Sequence, residues 1–283
     1  MELILTLDVG TTSVKACLFD RQLRQTALTS REYALQTRGV CAEVEAQVYL
    51  DAAAQCILSL PAEARARVCA VALTTQGETL LCVDRQGKAL RPAIVWLDSR
   101  AEAQAARLAA VLDRQRFYER TGLPELSGAL PLAKLLWLRE QEPESWARTD
   151  KFLLLEDYLM LWLTGRAVTE KSLLTSTGYF DLQSDDYWDE ALALAELDRT
   201  RLPQALACGS IVGPVLPEVA EALGLPASAC VVTGAMDQTA AALAAGCTRP
   251  GTLCETTGTA MVAAAFTAHP QFSEDHHVTI YRH

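Results

Sequence analysis

Two short stretches of this 283-residue chain hold residue types that could do phosphate chemistry. Asp8-Val-Gly-Thr-Thr12 sets a carboxylate at the end of an apolar run and follows it with a glycine and two hydroxyls. Gly10 permits a tight turn with exposed amides, and Thr11 and Thr12 add donors for phosphate oxygens. Asp8 is then placed to hold Mg2+ through water, because magnesium keeps several waters beside phosphate. No GxxxxGK[ST] motif exists in the chain, so this is not a Walker loop. The same residues also suit an ordinary Asx turn in a hairpin. In the second stretch, Gly234-Ala-Met-Asp237-Gln, the carboxylate stands where a strand gives way to a helix of tiny residues. There the positive end of the helix dipole would favour Asp237 as an acceptor of a substrate hydroxyl proton, although Asp237 alone is also a good helix N-terminal residue.

The elements that must position these groups follow from periodicity. Leu3–Asp8, Val14–Phe19 and Gln25–Leu35 are expected as three consecutive antiparallel strands. A helix is expected within 43–60, stopped by Pro61, then strands at Val68–Thr74, Leu80–Val83 and Ile94–Leu97. Helices follow over Ser99–Arg116, with Ser99 as the N-cap, over Pro131–Glu140, and over Asp157–Leu163 with Gly165 as the C-cap. Gly213–Pro217 reads as a linker before a short helix, a strand at Cys230–Thr233 and a helix at Met236–Ala245. Thr252–Glu255 and Ala260–Ala265 are β-like, and the Thr256-Thr-Gly-Thr259 loop between them repeats the idea of the Asp8 loop. Strands interleaved with helices indicate an α/β fold.

Composition excludes several classes. Half of the residues are hydrophobic and the formal charge is −10, with no cluster of Lys and Arg, which argues against a nucleic-acid partner. The N-terminus reads as a first strand rather than a signal peptide, and no apolar run reaches a membrane-spanning length. The nine cysteines form neither a CxxC pair nor a zinc pattern, so reduced thiols in a cytoplasmic protein are expected.

Taken in order, four segments carry a resemblance. Leu3-Ile-Leu-Thr-Leu-Asp8-Val-Gly-Thr-Thr-Ser-Val-Lys15 resembles the first phosphate motif of the FGGY carbohydrate kinases, members of the actin-like ATPase superfamily. Val71-Ala-Leu-Thr-Thr-Gln76-Gly-Glu78-Thr together with Ile94-Val-Trp96-Leu-Asp98-Ser-Arg100 resembles their sugar-binding segments. Asp157-Tyr158-Leu with Leu163-Thr-Gly165 resembles a further family segment, and Gly234-Ala-Met-Asp237-Gln matches the position of the family's catalytic aspartate. The ordered set spans residues 3 to about 265 and is more specific than any one member.

The resemblance implies an actin-like ATPase (ribonuclease H-like) α/β fold, with a mixed sheet flanked by helices. It implies ATP-dependent phosphorylation of a sugar or polyol hydroxyl, a ketopentose such as xylulose being the leading class. Asp237 would be the general base and Asp8 the organiser of Mg2+. Thr11, Thr12, Lys15, Thr257, Gly258 and Thr259 would face the phosphates of ATP. Gln76, Glu78, Trp96 and Asp98 would take the sugar, with Asp237 beside them. Trp96, on an apolar segment, equally suits core packing, whereas Glu78 is costly to bury without a partner.

Two departures bear on the substrate. Glycerol kinases of the family carry an arginine where this chain has Gly77, and xylulose kinases carry a Met-His pair where it has Gly77-Glu78. Residues 1–245 are expected to form the sugar-binding domain and 246–283 the start of a truncated nucleotide-binding domain. Such a chain would turn over ATP poorly alone; the alternative is a non-catalytic sugar-binding or regulatory module. A small-molecule sugar or polyol and ATP are the expected partners, with a homodimer left open.

Overall fold

The computed structural model describes residues 2–257 and 261–282. Its centre is a six-stranded mixed sheet. The first strand, Leu3–Val9, alternates buried and half-buried positions, which puts Leu3, Leu5, Leu7 and Val9 on one covered face. It pairs antiparallel with Ser13–Phe19, which pairs antiparallel with Gln25–Glu32, so the expected three-strand start is present. On its other side Leu3–Val9 runs parallel to Val68–Thr75, which runs parallel to Cys230–Met236. Ile211–Pro214 closes that edge in antiparallel register. The supposed linker at Gly213-Pro214 is thus part of a strand, and an edge is where a proline without an N–H is tolerated.

The helix Ala46–Leu58 buries Tyr49, Ala52, Ala53, Cys56 and Ile57, a stripe at the 3–4 spacing of one helix face, against the sheet. A second, wholly antiparallel five-stranded sheet contains Cys41–Val44, Ala93–Ile94, Leu80–Val83 and Lys151–Leu154. Around it gathers a second apolar core, built from Leu108, Phe117, Leu132, Leu135, Leu138, Phe152, Phe180 and Trp188 among others. The helix Leu155–Thr164 buries Leu155, Leu159, Met160 and Leu163 in the first core and is ended by Gly165 at φ 70° as expected.

The single helix expected over Ser99–Arg116 is two. Glu102–Val111 ends where Leu112 turns extended, and Asp113 caps Arg114–Thr121 by accepting from Arg116 N at 2.8 Å. Ala101, not Ser99, precedes the first of them. The strand expected over Ile94–Leu97 covers only Ala93–Ile94, and Trp96 and Leu97 belong to a turn.

Beyond the Asp237–Ala244 helix, Leu253–Thr257 and Met261–Ala265 form a hairpin that, among the described residues, pairs only with itself. The chain then returns to the helical side. Tyr118 Oη donates to Val278 O at 2.8 Å, Ile280 N donates to Gly122 O at 2.9 Å, and Arg282 Nε donates to Asp185 Oδ1 at 2.9 Å. All nine cysteines are free thiols, and among the described residues no helix is long and apolar enough to cross a membrane.

Candidate active site

Asp8 sits one residue from the end of the first strand, opposite Lys15 in the hairpin register and beside Thr74 in the parallel one. Its carboxylate is 39% exposed and accepts from Lys15 Nζ at 3.3 Å, a long contact between exposed groups that contributes little to stability. The loop beyond is closed by Gly10 N donating to Ser13 O at 3.0 Å and is held from below by Tyr33, whose hydroxyl donates to Gly10 O. Thr11 is half-buried and Thr12 exposed.

Trp96 resolves the choice between core and surface. Its side of the turn is open, at 37% exposure, and its indole Nε1 donates to Thr11 Oγ1 at 2.9 Å. That bond joins the first loop to the segment 94–100, which lies 85 residues away in the chain. Asp98 is placed otherwise. It is fully buried, and its two oxygens take Ala42 N at 2.6 Å, Arg100 N at 3.0 Å and the Arg100 guanidinium at 2.7–3.0 Å. A carboxylate saturated by a bidentate arginine has no free face for a sugar, so Asp98 anchors this turn instead of lining a site.

Gln76 and Glu78 follow the Val68–Thr75 strand. Gln76 is buried; its Nε2 reaches Tyr49 Oη at 3.4 Å, and its Oε1 has no partner among the described residues. An orphaned buried acceptor costs free energy unless a ligand or water supplies a donor. Glu78 adopts φ +55°, inside a tight turn closed by Thr79 N donating to Gly77 O at 2.7 Å. For a non-glycine residue this conformation costs on the order of 1–3 kcal/mol and persists where its surroundings enforce it. Burial pushes the Glu78 carboxyl up to about 7, the charge of Asp237 pushes the same way, and Lys134 and Ser176 oppose both. A side chain at Gly77 would press on Ser176 Oγ at 3.1 Å and Met236 Sδ at 3.2 Å, so an arginine there would require those neighbours to move.

Asp237 opens the helix Asp237–Ala244 at the end of the Cys230–Met236 strand and accepts from Gln238 N at 2.7 Å. Burial raises its carboxyl above the usual range, the Gln238 amide opposes this, and Asp8 raises it further. Asp8, Glu78 and Asp237, each at the end of a different strand, thus lie close enough for the charge of one to act on the next. The strand before Asp237 is bulged between Val232 and Ala235, and Gly234 passes so close to the Val68–Thr75 strand that a Cβ would lie 1.3 Å from Leu73 O.

The remaining expected phosphate-facing residues stand apart. Thr257 ends the exposed hairpin strand and donates to its neighbour Glu255 at 2.8 Å, while Gly258 and Thr259 lie outside the described residues.

Residues 3–244 match the N-terminal domain of the FGGY family of carbohydrate kinases. The chain belongs to that family. It is 31% identical over 270 residues to a xylulose kinase of Lactococcus lactis, covering 94% of this chain and 54% of that relative. It is 26% identical over 283 residues to a gluconokinase of Bacillus subtilis, covering 98% and 54%. A solved xylulose kinase from Rhodospirillum rubrum superposes with a TM-score of 0.89 at 31% identity over 95% of this chain and 56% of that one. One from Lactobacillus acidophilus shares the fold at a TM-score of 0.94 and 23% identity, covering 100% and 58%. The fold is therefore the actin-like one these kinases share, and the chain spans about half the length of the curated relatives it matches.

Several residues at the site carried no sequence signal. Tyr33 and Tyr49 read as ordinary β and helix residues. Glu156 accepts from Gly234 N at 2.9 Å, and Ser172 Oγ accepts from Met236 N at 2.9 Å while donating to Glu170. Together they support the bulge that presents Asp237. Tyr281, far along the chain, has its phenol pushed up to about 12 by partial burial and then by the charges of Glu78 and Asp237. Lys134 could have been noticed as the one charge in Pro131-Leu-Ala-Lys134-Leu-Leu-Trp.

Proposed function

We propose that this chain is the substrate-binding half of an ATP-dependent kinase acting on a hydroxyl of a sugar or polyol, with a ketopentose of the xylulose kind as the leading class. Two observations carry the reading: the charge of Asp237 bears on Glu78 and that of Asp8 on Asp237, and the exposed indole of Trp96 is hydrogen-bonded to Thr11 in the Asp8 loop. Asp237 takes the proton of the attacking hydroxyl, and its raised pKa suits a base working near neutrality. Glu78 and Gln76 take further hydroxyls, and Trp96 covers a carbon face of the substrate. Membership of a family with xylulose kinase and gluconokinase relatives supports this class. Gly77 speaks against glycerol, since the arginine that glycerol kinases carry there is missing and a side chain at this position would require Ser176 and Met236 to shift.

The first loop fits a magnesium nucleotide by its donor set. Asp8 is a half-exposed carboxylate, and Thr11, Thr12 and Lys15 surround it with hydroxyls and one ammonium. Among the described residues no three Asp, Glu, His or Cys side chains converge into a metal cage, and magnesium bound with phosphate needs only one or two carboxylates. ATP with Mg2+ supplies the phosphoryl group when bound, and the protein contributes positioning and charge neutralisation. Thr257, Gly258 and Thr259 are proposed as a second set of phosphate contacts, with residues 1–245 as the substrate-binding unit and 246–283 as the opening of the nucleotide-binding one.

The test is a thermal-shift panel of pentuloses, hexuloses, pentitols, glycerol and sugar acids on this chain. A ligand bound only to the folded state raises Tm in proportion to RT ln(1 + [L]/Kd). A shift for one sugar that is lost in Glu78→Gln and Asp237→Asn supports the reading. No shift for any of them, with a C-terminal half of a relative added or not, would sink it.

A further inference from the structure

Lys134 lies in the helix Pro131–Gln141 and is fully buried. A lysine is hardly ever buried this completely without acceptors for its ammonium. Its acceptors here are both backbone carbonyls: Glu78 O at 3.1 Å and Val95 O at 3.0 Å. The first belongs to the residue held at φ +55°, the second to the residue immediately before Trp96. Val95 O also accepts from Asp98 N at 3.0 Å, so the same carbonyl that closes the Trp96 turn is tied to the helix.

We infer that Lys134 is a positioning residue that fastens the two substrate-side segments, 76–79 and 94–98, to one another through their carbonyls, and so fixes the Glu78 carboxylate relative to the Trp96 indole. The inference rests on the proposed substrate site for its functional meaning, though not for its geometry. Hydrogen bonds to backbone make the device insensitive to the side chains it orders, which is why nothing at positions 78 or 96 reveals it. Burial lowers the Lys134 amine to about 7, while Glu78 and Asp98 oppose the change. Ammonium and neutral amine each offer at least two N–H donors, so the fastening survives either form.

The variant Lys134→Met keeps an unbranched side chain of similar length and removes the donors. Leu138→Val, at a fully buried position on the same helix, serves as the control for a general loss of stability. Amide hydrogen exchange on the ligand-free chains provides a reading independent of any substrate. Expected in Lys134→Met is an increase of about tenfold or more at 78–80 and 95–98, with Leu3–Val9 protected as in the wild type. The affinity for the sugar that the wild type binds should fall by about tenfold or more in Lys134→Met and hold within about twofold in Leu138→Val. If Lys134→Met does not fold, Lys134→Gln, whose shorter carboxamide reaches at most one of the two carbonyls, gives the same contrast. Exchange unchanged at both segments, or raised evenly over the molecule, overturns the inference. A wild type that binds no sugar refutes the proposed function and leaves the exchange result to decide on Lys134.

Discussion

At the scale of single residues, the most consequential group is Glu78, whose carboxyl is raised to about 7 chiefly by burial. In the proposed role of accepting substrate hydroxyls, Glu78 serves best when ionised, with both oxygens free to accept. Affinity for the bound sugar should therefore rise with pH through about 7, being roughly tenfold weaker at about pH 6 than at about pH 8. Glu78→Gln should bind more weakly throughout and lose most of this slope; calorimetric titration at several pH values reads both. An affinity that falls as pH rises would mean that Glu78 donates instead. Its neighbour Trp96 is a hydrogen-bonding surface residue, and Asp98 is a buried anchor; sequence types alone did not separate them. The two lie two positions apart in one turn, and only the partners, Thr11 for one and Arg100 for the other, assign their roles.

Among the elements, the strand Cys230–Met236 does the positioning. Its bulge at 232–235 lies just before Asp237, where the strand runs parallel to Val68–Thr75. Gly234 makes the close approach possible, because any Cβ would overlap Leu73 O. Gly234→Ala should accordingly destabilise by more than about 3 kcal/mol, placing it among the strained and overpacked extremes. Urea unfolding monitored by far-UV circular dichroism checks this, and a loss below about 1 kcal/mol would show that the two strands separate easily. The strand and helix around this point were both legible in the sequence, since Cys230-Val-Val-Thr is apolar and β-branched and Asp237 begins a run of small helix formers. The bulge was not, because it depends on Glu156 and Ser172 binding Gly234 and Met236 from elsewhere in the chain.

For the molecule as a whole, the segment 156–170 holds an unusual load of buried acid. Glu156, Asp157 and Glu170 are all enclosed; burial raises each carboxyl, Asp157 to about 8, and the charge of Glu170 raises Glu156 further. The sign follows from linkage. A carboxyl whose folded pKa exceeds its unfolded value favours folding below the unfolded pKa, and that advantage is lost as pH climbs through the folded one. Stability should thus decline from about pH 5 to about pH 8. Glu156→Gln, which keeps an acceptor for Gly234 N and removes one charge, should raise Tm by a few degrees at about pH 8 and flatten the slope. Differential scanning calorimetry across that range decides the matter, and a Tm that rises with pH in the wild type would refute it.

What the sequence determined by itself was most of what depends on local order, the Asp113 cap and the Trp96 turn excepted. The first hairpin and its carboxylate, the strand before Gln76, the Gly165-capped helix and Asp237 at a helix start all follow from periodicity, caps and turns within a few residues. The ordered family motifs were legible for the same reason, being short runs in a fixed sequence. The tertiary structure decided what depends on contacts across tens of residues. Lys134 bridging two loops, the Glu156–Ser172 support beneath Asp237 and the return of Tyr281 toward Glu78 are examples. So is the edge strand at Gly213-Pro214, which exists only through its pairing with Cys230–Met236. A hydrogen bond to a distant carbonyl leaves no periodic trace in either partner, so its existence is settled only when the cores pack and bring the two segments together.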